Sequence, residues 1–194
     1  MNISSVEKKR VLREETALKV AALPKSYTAS ADKRICEAVI GTSEYQRAQT
    51  VFCFVGRDNE INTYPILIDA LRSGKCICAP KCVADGLMEA RQVTGLDDLA
   101  LAKFGLMEPV DSCKVIMPSE IDFAVIPCLT CDIFGHRLGF GGGYYDRYLS
   151  NSTFFTCMIC RRELIREKIP WESHDIIPDM LISEDHCKYF HHII

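Results

Sequence analysis

Short apolar runs alternating with helix-length segments constrain this chain more than any other feature. Residues 50–55, 75–79, 87–93, 121–126 and 154–159 each read as a strand. The run Ile121-Asp122-Phe123-Ala124-Val125-Ile126, closed by Pro127, has the continuous apolar character of a strand buried on both faces. Helices are predicted over residues 6–22 (capped by Ser4 or Ser5, ended by Pro24), 29–40, 65–72, 144–149 and 162–168. In the first, Val11, Leu12, Leu18 and Ala22 are spaced for a buried face and Lys8, Lys9, Arg10 and Arg13 for a basic one. Thr94 or Asp97 is expected to cap a brief further helix, and residues 180–182 to add an edge strand. This rhythm implies a three-layer α/β fold, a mostly parallel sheet with helices on both faces. With 194 residues and no repeat, linker or low-complexity tract, a single domain over 1–194 is expected.

Charge and hydropathy exclude several classes. Hydrophobic residues are 48%, charged residues 25% and the net charge is -3, which argues against disorder and against a strong field for nucleic acid or an anionic membrane. No apolar run approaches the roughly 18 residues a membrane span needs. The opening residues MNISSVEKKRVLREE carry charges where a secretory signal would be apolar, so a soluble, cytoplasmic protein is expected. Eleven cysteines in such a compartment read mainly as small core hydrophobes. Two pairs, Cys128/Cys131 and Cys157/Cys160, have C-x-x-C spacing, but the gap between them is too long for a zinc ribbon and the second lies in a strand-like run. A redox role for Cys128 and Cys131 is the other reading of that pair.

In an open α/β sheet, ligands bind beyond the carboxyl ends of the strands, so residues 56–63, 80–85, 127–143 and the segment around His174 carry the functional information. The sharpest feature lies there: Arg137-Leu138-Gly139-Phe140-Gly141-Gly142-Gly143-Tyr144-Tyr145-Asp146-Arg147. Four glycines in five positions let the backbone approach a ligand closely, and their N–H groups at a helix start form a cradle for phosphate oxygens. The loop lacks the Gly-Lys-Ser/Thr of a Walker A motif, and Tyr144 stands where a G-x-G-x-x-G motif would close. Asp146, in the first helical turn, suits either a helix-dipole partner or a Mg2+ ligand beside phosphates.

This block resembles the signature of the 5-formyltetrahydrofolate cyclo-ligase (5,10-methenyltetrahydrofolate synthetase) family. Lys9-Arg10-Val11-Leu12-Arg13, Glu60-Ile61-Asn62-Thr63, Gly105-Leu106-Met107-Glu108-Pro109, residues 121–127 and His174-Asp175 agree with it in order and spacing. The resemblance implies an α/β fold related to sugar-phosphate isomerases and CoA-transferases. It also implies an ATP- and Mg2+-dependent ligase that closes 5-formyltetrahydrofolate to 5,10-methenyltetrahydrofolate and releases ADP and phosphate. ATP would phosphorylate the formyl oxygen, and a folate nitrogen would displace the phosphate. Such chemistry asks for positioning and charge neutralisation more than for a protein nucleophile.

Carried over by position, the family match implies ATP contacts from Lys9, Arg10, Arg13, Arg137, Leu138, Gly139, Phe140, Gly141, Gly142, Gly143, Tyr144 and Tyr145. Arg57, Glu60, Asn62 and Tyr144 would contact the folate, Asp146 and Asp175 would hold Mg2+, and Tyr144 and Arg137 would act on the reacting groups. Phe134 and Trp171 are aromatic candidates for stacking on a base, or for packing. Phe140 and Gly142 stand where many relatives carry Arg or Lys, and Asn62 replaces an acidic residue. The expected partners are these two small molecules, without nucleic acid or membrane, and the expected state is a monomer. A sugar-phosphate isomerase-like enzyme and a non-catalytic binding module on the same fold are the alternatives.

Overall fold

A computed structural model describes residues 4–150, 152–173 and 175–190; His174 lies outside them. The chain opens with α1 (Ser5–Ala22), α2 (Lys25–Gly41) and α3 (Ser43–Arg47), then β1 (Thr50–Cys53), α4 (Tyr64–Arg72), β2 (Cys76–Ala84) and β3 (Leu87–Val93). Short strands follow: β4 (Leu99–Leu101), β5 (Met107–Pro109), β6 (Val115–Ile116), β7 (Phe123–Ile126), β8 (Thr130–Asp132) and β9 (Arg137–Leu138). The last elements are α5 (Tyr144–Leu149), β10 (Phe155–Ile159), β11 (Ile165–Arg166), β12 (Met180–Ile182) and β13 (Cys187–Tyr189).

The main sheet has the order β13-β12-β10-β7-β1-β2-β3-β6. Its five central strands, β12, β10, β7, β1 and β2, run parallel, and antiparallel strands flank them at both ends. The predicted mixed α/β architecture with a mostly parallel sheet is therefore the observed one.

Strand alternation divides the core in two. Val51, Cys53, Phe123, Val125, Cys157, Ile159, Met180 and Ile182 point to one face, where Ile35 and Val39 of α2, Tyr45 of α3 and Ile66 and Leu67 of α4 cover them. Phe52, Ala124, Ile126, Met158 and Leu181 point to the other, under Leu149 of α5 and the side chains of Ile121, Phe154 and Leu164. Burial on both faces is why β7 reads as an unbroken apolar run.

Four expectations need correction. Helix α2 begins at Lys25, not near residue 29, because Pro24 takes an extended conformation and the helix starts immediately after it. Residues 162–168 form one 3-10 turn and then β11, whose backbone pairs with β8 instead of continuing a helix. Residues 180–182 are not an edge strand, since β13 pairs outside them. In α1, Val11, Leu18 and Ala22 are exposed. The helix turns Lys9, Arg13, Thr16 and Val20 toward the protein, positions spaced by four, three and four residues.

Phe123 is fully buried, edge-on to Tyr45 at 5.9 Å and stacked on Phe155 at 6.0 Å. The Phe123→Ala variant is expected to lose about 3–5 kcal/mol of stability, through lost transfer energy and the cavity left behind. Urea titration would show this as a lower midpoint with an unchanged slope; a loss below about 1 kcal/mol would mean the strand centre repacks.

Candidate functional site

The carboxyl ends of β1 and β7 open into a cavity of about 640 Å3. Phe54 and Val55 beyond β1, Pro80 and Cys82 in β2, and Pro127 beyond β7 form its floor. The glycine-rich loop forms one wall, and the first turns of α1, with Glu172 and Asp175, form the opposite one. All four post-strand stretches singled out by sequence contribute to it.

The loop is shaped by its backbone. Gly141 has φ +102 and Gly143, at the N-terminus of α5, has φ +67, conformations that L side chains rarely adopt. A Cβ on Gly142 would come within 2.7 Å of the Tyr144 ring, so a side chain there would displace that ring. Beneath the loop, the guanidinium of Arg137 is buried and its Nη2 donates to Asp146 Oδ1 at 2.6 Å, while its Nε has no partner among the described residues. From the other wall, Arg13 Nε donates to Gly139 O at 2.9 Å. Arg147 anchors the loop from outside: its Nε donates to Gly86 O at 2.7 Å, and its Nη2 to Gly142 O.

Lys9 is 8% exposed, and its ammonium donates to Asp175 Oδ2 at 2.8 Å and Glu172 Oε2 at 2.9 Å. Burial disfavours the charge, but the two carboxylates outweigh it and hold Lys9 above the usual lysine range. Asp175 Oδ2 also accepts the Glu172 N–H at 2.8 Å, so this segment curls around the ammonium. The predicted basic face of α1 thus splits: Lys9 and Arg13 enter the cavity, while Arg10 is turned outward to Glu7 and Glu14.

At the far end, Arg57 and Glu60 line the cavity. Glu60 Oε2 accepts the Arg57 N–H at 3.2 Å, and burial raises its carboxyl above the ordinary range. The Arg57 guanidinium lies 4.7 Å from the centre of the half-exposed Phe140 ring, so Phe140 packs against a cation. Asn62 does not line the cavity; its side chain is exposed and its Oδ1 accepts the Tyr64 N–H at 3.1 Å. Phe134 and Trp171 also lie outside the lining, with Trp171 stacked on His136 at 4.7 Å.

Three features escaped the sequence reading. Glu172 shares Lys9 with Asp175, and its position three residues before Asp175 was the available signal. Glu108, in the Gly105–Pro109 motif, is buried and lines the cavity beside Cys82, whose thiol is pushed up to about 11 by burial first and Glu108 second. The third is the buried fork of Arg161 onto Asp32, Nε to Oδ1 at 2.7 Å and Nη2 to Oδ2 at 3.0 Å. Arg161 Nη2 also donates to Glu60 O at 2.7 Å, and Asp32 Oδ2 accepts the Asn62 N–H at 3.0 Å, so this pair fixes the loop that carries Arg57 and Glu60.

The C-x-x-C pairs do not meet as a four-cysteine site. Cys157 and Cys160 are three residues apart along an extended segment and point to opposite faces of the sheet. Cys160 instead joins Cys128 and Cys131. Hydrogen bonds from the Cys131 and Cys160 thiols hold Cys128 well below the ordinary thiol range.

The profile of the 5-formyltetrahydrofolate cyclo-ligase family matches residues 5–184. The chain belongs to this family. A probable 5-formyltetrahydrofolate cyclo-ligase of Schizosaccharomyces pombe is 29% identical over 78% of this chain and 82% of its own length. The 5-formyltetrahydrofolate cyclo-ligase of Mus musculus is 26% identical over 91% and 94%. The fold is that of the solved 5,10-methenyltetrahydrofolate synthetase of Aquifex aeolicus, with TM-score 0.85, 24% identity and coverage of 95% of this chain and 93% of that one. Family membership favours the ligase reading over the isomerase-like and binding-module alternatives. Among the described residues no helix is long and apolar enough to cross a membrane.

The Asp32–Arg161 pair yields a stability prediction. Asp32→Ala strands a buried guanidinium and is expected to cost about 3–5 kcal/mol, whereas replacing both partners with apolar residues costs much less. A double-mutant cycle by chemical denaturation checks this; additive losses would mean the two side chains act independently.

Proposed function

We propose that this chain closes 5-formyltetrahydrofolate to 5,10-methenyltetrahydrofolate using ATP and Mg2+, with release of ADP and phosphate. The observation that carries this reading is the convergence of a glycine-rich backbone cradle, the four cationic side chains Lys9, Arg13, Arg57 and Arg137 and a set of carboxylates on one cavity. The donor set is of the kind a hard cation takes: Asp146, Asp175 and Glu172 bring carboxylate oxygens into the cavity, here paired with Arg137 and Lys9, and magnesium is usually held by one or two carboxylates plus phosphate and water. Asp146 and Asp175 are the assigned ligands. When bound there, Mg2+ neutralises phosphate charge and orients the terminal phosphoryl group.

The chain's own residues divide the remaining work. Loop N–H groups from Gly139 to Gly143 receive the triphosphate oxygens at the start of α5. Lys9 and Arg13 close on them from α1. Arg137, buried and with Nε unpartnered, is placed to stabilise charge on the transferring phosphoryl group. Arg57 and Glu60 bind the folate, the carboxylate facing the N–H edge of the pterin, and Tyr144 flanks the formyl group. Phosphoryl transfer to the formyl oxygen makes a good leaving group of a poor one. The folate nitrogen then bonds to the formyl carbon, the carbon–oxygen bond to phosphate breaks, and the nitrogen loses its proton. Arg10 and Asn62, directed away from the cavity, have no part in this reading.

The direct test mixes the protein with 5-formyltetrahydrofolate, ATP and Mg2+ and follows the near-ultraviolet band of the methenyl product. The expected result is growth of the band only when all three are present; a flat trace with folded protein and intact folate overturns the proposal. Gly141→Val adds a side chain at φ +102, a strain of roughly 1–3 kcal/mol, and is expected to raise the KM for ATP about 5- to 100-fold with less effect on the folate KM. An unchanged ATP KM would make the loop a turn without a ligand.

Asp146→Asn is expected to lower activity on the order of 10–100-fold, with partial recovery at raised Mg2+. Full activity at low Mg2+ would remove Asp146 from the ligand set. Glu60 supplies a pH test. Because burial raises its carboxyl, folate affinity is expected to weaken as pH falls from neutral through that raised value, and Glu60→Gln is expected to flatten the dependence. A profile unaltered by the substitution would assign the effect to another group.

A further inference from the structure

Outside the cavity just described, the densest group of chemically reactive side chains is a set of three thiols. Cys128 lies just beyond β7, Cys131 is the centre of β8 and Cys160 immediately follows β10, and their sulfur atoms all lie within 4.8 Å of one another. Cys131 and Cys160 are buried, while Cys128 is half-buried. Beyond the hydrogen bonds among themselves, the thiols meet only main-chain carbonyls, Cys128 Sγ donating to Ile159 O at 3.5 Å and Cys160 Sγ to Arg161 O at 3.5 Å, weak bonds that a metal–sulfur bond readily replaces. Cys128 and Cys160 also line a second cavity of about 730 Å3, which adjoins the first through Arg57, Glu60, Met107 and Phe140.

Thiolates bound at about 2.3 Å to a tetrahedral cation stand about 3.8 Å apart, so the three sulfurs need to contract by at most about 1 Å to share one ion. The alternation of β10 shows why only three cysteines take part: Cys157 faces the other half of the core. The ligands come from two segments: the C-x-x-C pair Cys128 and Cys131, and Cys160, about thirty residues later, which fold packing brings to that pair. Hard cations do not suit an all-sulfur donor set, whereas zinc and other thiophilic ions do.

We propose that Cys128, Cys131 and Cys160 form a three-thiolate site for one thiophilic cation of the Zn2+ class, with its fourth coordination position open to the second cavity. Binding deprotonates the thiols that are still protonated, forms three metal–sulfur bonds and releases the protons to solvent. The ion would tie the start of the 127–143 segment, which carries the glycine-rich loop, to the end of β10 next to Arg161. The site is separate from the Mg2+ carboxylates and stands whether or not the proposed ligase reaction is correct.

The test uses the whole protein, purified under reducing conditions, with Zn2+ alone and with Co2+ as a spectroscopic probe. One equivalent of Zn2+ retained through dialysis against a weak chelator is expected, together with a rise in melting temperature. Co2+ is expected to give a sulfur-to-metal charge-transfer band and the visible bands of a tetrahedral site. Cys128→Ser and Cys131→Ser are each expected to weaken Zn2+ binding by more than about 100-fold, since even outer-shell changes cost 10–100-fold. Cys187→Ser, at an exposed position, is expected to leave binding unchanged. If Cys131→Ser does not fold, the half-buried Cys128→Ser and the wild-type Co2+ spectrum still decide the matter. Reduced protein that retains no metal, a Co2+ spectrum without sulfur charge transfer, or binding indifferent to Cys128 would each overturn the proposal.

Discussion

Lys9 is the interaction on which the site depends. Its ammonium, nearly excluded from water, is shared by Glu172 and Asp175, more than 160 residues away in sequence. Helix α1 has little else to dock with: Val6 and Leu18 are more than 70% exposed, and the positions facing the protein are mostly polar. The helix therefore docks largely through charge, with Arg13 reaching the carbonyl of Gly139 as a second anchor. One buried cation thus joins the two ends of the chain and stands them opposite the glycine-rich loop. An ammonium held this way has little to gain from a hydrophobic substitute unless both carboxylates are replaced as well.

The sheet places everything else. Five parallel strands deliver residues 54–60 and 127–143 to the same edge, the edge where open α/β sheets bind ligands. Their side chains alternate between two separate cores, so neither face is available for chemistry and the loops carry it. The buried Asp32–Arg161 fork gives rigidity to one of these loops, and the Arg137–Asp146 pair to the other. Both guanidinium groups are buried, so each pair contributes little to stability when intact and is costly when its carboxylate is lost.

Much of this was legible in the sequence. The parallel strands follow from continuous apolar runs, α5 from the residues after Gly143, and the loop that walls the cavity from four glycines in five positions. What was not legible depended on long-range partners. The direction α1 faces could not be read from Val11 and Leu18, because its docking is set by carboxylates at positions 172 and 175. The segment 162–168 has a helical composition, but pairing with β8 takes its backbone groups first. Asn62 was placed by a neighbouring motif, yet its amide serves the backbone at Tyr64. The regrouping of Cys160 with Cys128 and Cys131 likewise depends on which face of β10 each residue occupies.

The central claim is that α1 and the glycine-rich loop clamp ATP between them. Backbone hydrogen exchange, compared with and without ATP and Mg2+, tests it directly. The account predicts slowed exchange in two places at once, residues 5–16 of α1 and residues 137–147 of the loop and α5, with little change in the strands. Protection confined to one of these walls, or centred elsewhere in the chain, would contradict it.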